Sequence, residues 1–204
     1  RRQTWQLAQE IATLDRVADG RLRVGAGLAF GVDYTAYGRA YEPPRLGDRL
    51  DETLEILDRL WSGAAVSYDG EHFQLDEAEV EPTPVQEPRV PLLAGCWWPN
   101  KKPFHRGARW DGIMPWFASL TEDESGPRGE SPTGSPEEEV RDMLEYYTDI
   151  ADDPGDILLP TIPVEDETGF RETCESVGVT WLLETDLGED AGAVRRTIRE
   201  GPPR

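Results

Sequence analysis

The chain has 204 residues, 37% of them hydrophobic and 9% aromatic, which is enough apolar material for one sizeable core and predicts a single domain. Its 41 acidic residues against 21 basic ones give a formal net charge of -20, a field that opposes binding to nucleic acid or to an anionic membrane surface. No apolar run approaches the roughly 20 residues of a membrane span. Cys96 and Cys174 share no metal-ligand or redox spacing with each other or with His72 and His105, which argues against a zinc site or a disulfide framework.

Lys101 and Lys102 are the only lysines, so nearly all the positive charge is arginine. An acidic, lysine-poor surface suits concentrated salt, where screening over a few ångströms removes self-repulsion. The expectation is a salt-adapted cytoplasmic protein, with an ordinary acidic mesophilic protein as the alternative.

In chain order, residues 4–17 place Leu7, Ile11 and Leu14 at helical spacing, and Gly20 follows as a stop. RLRVGAGLAFG (21–31) reads as a buried parallel strand whose end opens into a loop. Leu46, Leu50, Leu54, Leu57 and Trp61 form the stripe of a second helix closed by Gly63. VSYDGEHFQL predicts a hairpin turning at Asp69 and Gly70, within an insertion at about 66–90 that continues into a proline-rich crossing.

The alternation resumes with a strand at 90–95, a short helix from about Pro103 and a strand at 111–116. Residues 118–135 read as a flexible acidic loop, and Ser135, Pro136 and Glu138 as the start of a helix running to about Ala151. Strands at 156–164 and 179–185 flank a helix at 170–177, and a last helix spans 191–200. Helices alternating with five short apolar strands predict an α/β domain, with a parallel sheet covered on both faces. An open doubly wound sheet and a closed (β/α)8 barrel give the same alternation.

The best local signal is GCWWPNKKPFHR (95–106), between a strand end and a helix start. A glycine lets backbone N–H groups approach a phosphate, and Lys101, Lys102 and Arg106 add cations. The plain alternative is a solvated basic turn answering nearby acids. GAGLAFG is no dinucleotide fingerprint, because Phe30 stands where GxGxxG needs glycine. Trp97, Trp98, Trp116 and Trp181 lie near predicted strand ends, where they either wall an apolar pocket or pack the core. Glu184 is a pocket carboxylate or the partner of an arginine. Neither histidine has a partner that would make it a general base, although His105 is placed to contact a phosphate.

ATLDRVADGRLRVGAG, LDETLEILDRLWSG, VSYDGEHFQL, PTPVQEPRVPLLAG and ARWDGIMP, in this order, resemble the central region of the luciferase-like monooxygenase family. TWLLET and the terminal IREGPPR resemble the tail of one of its bacterial and archaeal subgroups. The resemblance implies a (β/α)8 barrel, incomplete at its N-terminus and holding strands 4 to 8, that binds FMN or the deazaflavin coenzyme F-420 at its strand ends. With the composition, it points to a halophilic archaeal source. It assigns the phosphate to backbone groups from Gly95 through Cys96 and Trp97 to Trp98, and the ring to the space left by Gly25, Gly27 and Ala29. Simple strand-to-loop geometry is the other explanation of those small residues.

Three functional expectations follow. The first is a flavin- or deazaflavin-dependent oxidoreductase of a small organic substrate, with self-association left open. The second is a non-catalytic remnant or subunit whose open core needs a covering chain. The third is an unrelated barrel enzyme that holds a phosphate ester in the same loop.

Overall fold

The computed structural model describes residues 2–28, 31–116, 136–160, 167–183 and 191–201. Seven helices and seven strands follow in the order α1 (Thr4–Val17), β1 (Val24–Ala26), α2 (Gly31–Thr35), α3 (Pro43–Leu60), β2 (Val66–Asp69), β3 (Gln74–Ala78), β4 (Leu92–Trp97), α4 (Lys101–Gly107), β5 (Gly112–Trp116), α5 (Pro136–Ile150), β6 (Asp156–Pro160), α6 (Glu167–Ser176), β7 (Trp181–Leu183) and α7 (Ala191–Glu200). The strand expected over 21–31 is three residues long, and Gly31 already opens α2. The expected loop at 118–135 lies outside the described residues.

Strands β1, β4, β5, β6 and β7 form one five-stranded sheet in that order, every pairing parallel, while β2 and β3 form a separate antiparallel hairpin. The helices of the two core clusters, α1, α3, α4, α5 and α6, pack on one side. One core cluster holds Ala8, Ile11, Leu54, Leu57 and Trp61 of the α1 and α3 region with Leu92 of β4. The other holds Ala94 and Cys96, Ile113, Ile157 and Leu159 beneath Phe104, Val140, Met143, Tyr147 and Phe170. Alternate residues on the opposite face stay open: Trp116 is 36%, Trp181 46% and Leu183 41% exposed. Leu93 on that face is buried, so among the described residues the sheet expected to be covered on both faces is covered by α1, α3, α4, α5 and α6 on one face and is partly open on the other.

One contact decides between the two architectures. Arg23, just before β1, donates from Nε to Asp156 Oδ2 at 2.6 Å, and Asp156 opens β6. On a flat sheet those strands, three steps apart, would be separated by about 14 Å, given spacings of roughly 4.8 Å. The bond forms because the sheet is rolled and Arg23 crosses its concave side. Trp181 donates its indole N–H to the other Asp156 oxygen at 3.1 Å, and the Arg23 guanidinium lies 4.8 Å from that ring centre. A rolled parallel sheet with helices outside is barrel geometry.

Polar contacts fix the hairpin and the proline-rich crossing after it. Asp15, fully buried in α1, accepts from the amides of Val85 and Gln86 at 2.9 and 3.1 Å and from the Gln86 side chain at 2.7 Å, pinning the proline-rich crossing. Glu52 of α3 accepts from the amides of Glu71, His72 and Phe73 and so holds the hairpin turn.

Asp156 combines burial, which raises its pKa, with hydrogen bonds from Arg23 and Trp181 that lower it more, so it sits below the ordinary carboxylate value. A depressed folded-state pKa stabilises above the unfolded value, and that contribution is lost as pH falls through the folded one. Both partners of the pair are partly exposed. Asp156→Asn is therefore expected to cost only about 1 kcal/mol at pH 7. Urea unfolding at a series of pH values should show the gap to wild type closing below the carboxylate range, and a pH-independent gap would contradict this assignment. Asp15→Ala removes a buried acceptor of three bonds and is expected to cost about 3 kcal/mol in the same assay.

Candidate functional site

Because the five strands run the same way, their C-terminal ends share one rim, where barrels place their sites. Gly27 follows β1 at this rim, and Gly95 lies on β4 beside it. A Cβ built on Gly95 would stand 3.3 Å from Gly27 Cα and from the Ala26 carbonyl oxygen, and one on Gly27 would meet only Gly95 Cα, at 3.8 Å. The two backbones thus touch and leave a bare floor above them. Gly25 differs: its missing side chain is replaced by Met114 of β5, whose Cε would lie 3.0 Å from a Cβ there. Of the three small residues expected to make room for a flat ring, Gly27 has open space at its missing Cβ, Gly25 is filled, and Ala29 lies outside the described residues.

The loop after β4 is tighter than the sequence suggests, because α4 begins at Lys101 rather than near Pro103. Trp98 N–H donates to the Trp116 carbonyl and Asn100 N–H to the Trp97 carbonyl, both at 2.8 Å. Gly95, Cys96 and Trp97 lie in the ladder with β5. The amides left to meet an anion are those of Lys101 and Lys102 in the first turn of α4, later in the chain than the expected Gly95 to Trp98 run. That turn carries no acid to compete.

The side chains divide the labour. Cys96 is buried, its thiol facing the Ala94 carbonyl at 3.3 Å, and burial raises its pKa, which leaves no ready thiolate. Trp98 is buried edge-on to Phe104, and its Nε1 has no hydrogen-bond partner among the described residues. Lys101 Nζ sits 3.6 Å from the ring centres of both Trp98 and Tyr146, a cation–π clamp. Partial burial there lowers its pKa, against a smaller upward pull from Asp142. Tyr146 also meets His105 Nε2 at 3.1 Å.

Arg106 is turned away from the loop. Its guanidinium makes two bonds to Asp51 of α3, at 2.7 and 3.0 Å, and a third to the Gly47 carbonyl at 3.2 Å. Lys102 and Arg106 both line a cavity of about 460 Å3, with Leu28, Asn100, His105 and the carboxylates of Asp48 and Asp51, and of the two cations Arg106 is the one tied to Asp51. Trp116 ends β5 at the rim. Trp181 stands at the opposite end, at the start of β7, so its place in a rim pocket is corrected: it belongs to the Arg23–Asp156 contact. Glu184 lies outside the described residues. Asp51 and Tyr146, which position the loop's cations, carried no sequence signal, because their partners are far away along the chain. No described helix is long and apolar enough to cross a membrane. No group of three or more metal-ligating side chains occurs among the described residues.

A model of the luciferase-like monooxygenase family matches residues 1–126. The chain belongs to this family. An uncharacterized protein of Mycobacterium tuberculosis is 37% identical over 90 residues, 44% of this chain and 31% of its own length. An F420-dependent glucose-6-phosphate dehydrogenase of Microbacterium testaceum is 31% identical over 91 residues, 44% of this chain and 26% of its own. The chain therefore spans under a third of the curated relatives it matches. A monooxygenase of Streptomyces bottropensis has the same fold over 98% of this chain and 54% of its own, with a TM-score of 0.60 at 22% identity. Members of the family are oxidoreductases and monooxygenases.

Arg106 is the joint between α3 and α4, and lysine lacks the two-pronged geometry that Asp51 accepts. Arg106→Lys is expected to lower stability by about 2 kcal/mol. Chemical denaturation checks this, and an unchanged midpoint would show that the pair is dispensable.

Proposed function

We propose that the protein is a flavin- or deazaflavin-dependent oxidoreductase of a small organic substrate, with coenzyme F-420 preferred over FMN. The observation that carries this reading is the bare floor formed by Gly27 and Gly95, one loop away from the unopposed first turn of α4 and Lys102. The residues fit such a group: the floor accepts a flat ring against backbone, and the turn offers amides to a phosphate. Bound there, the coenzyme would supply hydride or oxygen chemistry. The chain's own part is positional. The amides of Lys101 and Lys102 hold the phosphate, the Trp98–Lys101–Tyr146 clamp fixes that turn, and Trp116 shields the rim from water.

No acid–base pair is required of the described residues, since the family's coenzymes carry the electrons themselves. The F420-dependent relative supports the preference for the deazaflavin. The acid excess and near absence of lysine support a salt-adapted, cytoplasmic, archaeal setting. Fluorescence titration of the purified protein in molar potassium chloride should show tight binding of one of the two coenzymes. Gly27→Leu should keep the melting temperature, because only Gly95 Cα lies near the new Cβ, and should weaken coenzyme binding about tenfold or more by covering the floor. Failure of both coenzymes to bind would refute the proposal.

A second reading is favoured by the exposed concave face with Trp116, Trp181 and Leu183. An apolar surface of this kind is covered in a working protein, by further strands or by a second chain. Light scattering of the 204-residue chain should show self-association. A monomer of 22.9 kDa that binds no hydrophobic dye would count against it.

A further inference from the structure

A second cavity, of about 320 Å3, opens on the other side of Gly27, between the start of α1, the short α2 and one face of α3. Its charged lining is entirely basic: Arg2, Arg39 and Arg49, with Thr53 and Tyr34 as hydroxyl donors. In a chain with 41 acids and 21 bases, an acid-free cavity with three guanidiniums is a departure that calls for a cause.

Elsewhere in the fold several arginines are held by carboxylates, while Arg16 and Arg21 donate to backbone carbonyls and Arg59 stacks over the Tyr68 ring. Arg23, Arg89, Arg106 and Arg109 each meet a carboxylate within 3.2 Å or less. Arg2 likewise pairs with Glu10 at 2.5 Å. Among the described residues, Arg39 and Arg49 have no such partner. Arg49 is nonetheless held in place, its guanidinium stacked 4.8 Å from the centre of the Phe73 ring on the hairpin. Stacking leaves the donor edge of the fork available for a planar or tetrahedral anion. The start of α1 adds to the same potential, since its first turn contains no acid.

We propose that this cavity is an anion site that takes the phosphate or carboxylate group of the substrate. The inference rests on reading Gly27 and Gly95 as the floor under the coenzyme, because Gly27 lines the second cavity and touches the first site's glycine. A substrate with an anionic end in the arginine cavity would extend its reacting end over that floor. Stacking of Arg49 against Phe73 also explains why the hairpin is tied to α3 through Glu52: the tie keeps the ring under the guanidinium.

The test uses inorganic phosphate and acetate as probes, titrated calorimetrically at fixed ionic strength into Lys101→Gln/Lys102→Gln protein, in which the loop after β4 is weakened. At least one probe should bind, and adding Arg39→Gln and Arg49→Gln should weaken it about tenfold or more for each guanidinium removed. Arg49→Lys should fall between, keeping the charge and losing the fork. Whichever probe binds more tightly names the group. All three arginines are exposed, so unaltered melting curves are expected, and they serve as the control for folding. Probe binding that is absent from the loop variant, or that is indifferent to both arginines, would overturn the site. Coenzyme titration of the Arg39→Gln/Arg49→Gln protein separates the two ideas. If no variant and no wild type binds coenzyme, the functional reading fails, while the arginine site stands or falls on the phosphate and acetate results.

Discussion

The roll of the five-stranded sheet, registered by Arg23 meeting Asp156 across its concave side, is the constraint from which the other features follow. Parallel strands taken in chain order deliver every strand-to-helix turn to the same rim, and curvature draws those turns together. Gly27, the loop from Trp97 to Lys102 and Trp116 meet there for that reason alone. The hydrogen bond between Trp98 and the Trp116 carbonyl then extends the β4–β5 pairing one residue past the sheet and sets the height at which α4 begins. The same roll turns the helices of the two core clusters to the convex side, and the concave side carries a sparser layer in which single residues matter.

That sparseness explains why two glycines two residues apart have different fates. Register places Gly25 beside Leu93 and Gly95 beside Met114, so the methionine reaches from the third strand over the space above Gly25. No long side chain stands in register with Gly27, and its space stays open. An unbranched thioether is well suited to filling an irregular gap. The space at Gly25 is thus filled by Met114, while that at Gly27 stays open.

The hairpin and the helices other than α2 were legible in the sequence because each is set by local pattern: the α3 stripe from Leu46 to Trp61, or the turn at Asp69 and Gly70. The five strands and their parallel sense were legible too, since alternation with helices leaves few topologies, although it left their order open between a doubly wound sheet and a barrel. The closure was not. Arg23 and Asp156 are 133 positions apart, and nothing in either neighbourhood signals the other. The same applies to Arg106, assigned by its position to an anion and bound instead by Asp51, 55 residues earlier. Trp181 was placed near the rim by its strand, but the indole N–H needs an acceptor and Asp156 offers one at the far end. Local pattern thus located the site's backbone, while the allocation of its charges depended on distant pairs.

The allocation itself has a physical logic in a chain of net charge -20. Direct contacts decide where single charges sit, because charges in contact are screened far less than charges at a distance. Arginine suits such contacts, because its fork gains from geometry as well as charge, and six arginines among the described residues pair with carboxylates. The two lysines are exceptions of a different kind. Lys101 is clamped between Trp98 and Tyr146, where its charge stabilises the turn without being neutralised, and Lys102 beside it projects into the cavity. A carboxylate partner at Lys101 would have cancelled the potential at the first turn of α4, whereas an aromatic clamp fixes the cation and leaves that potential intact.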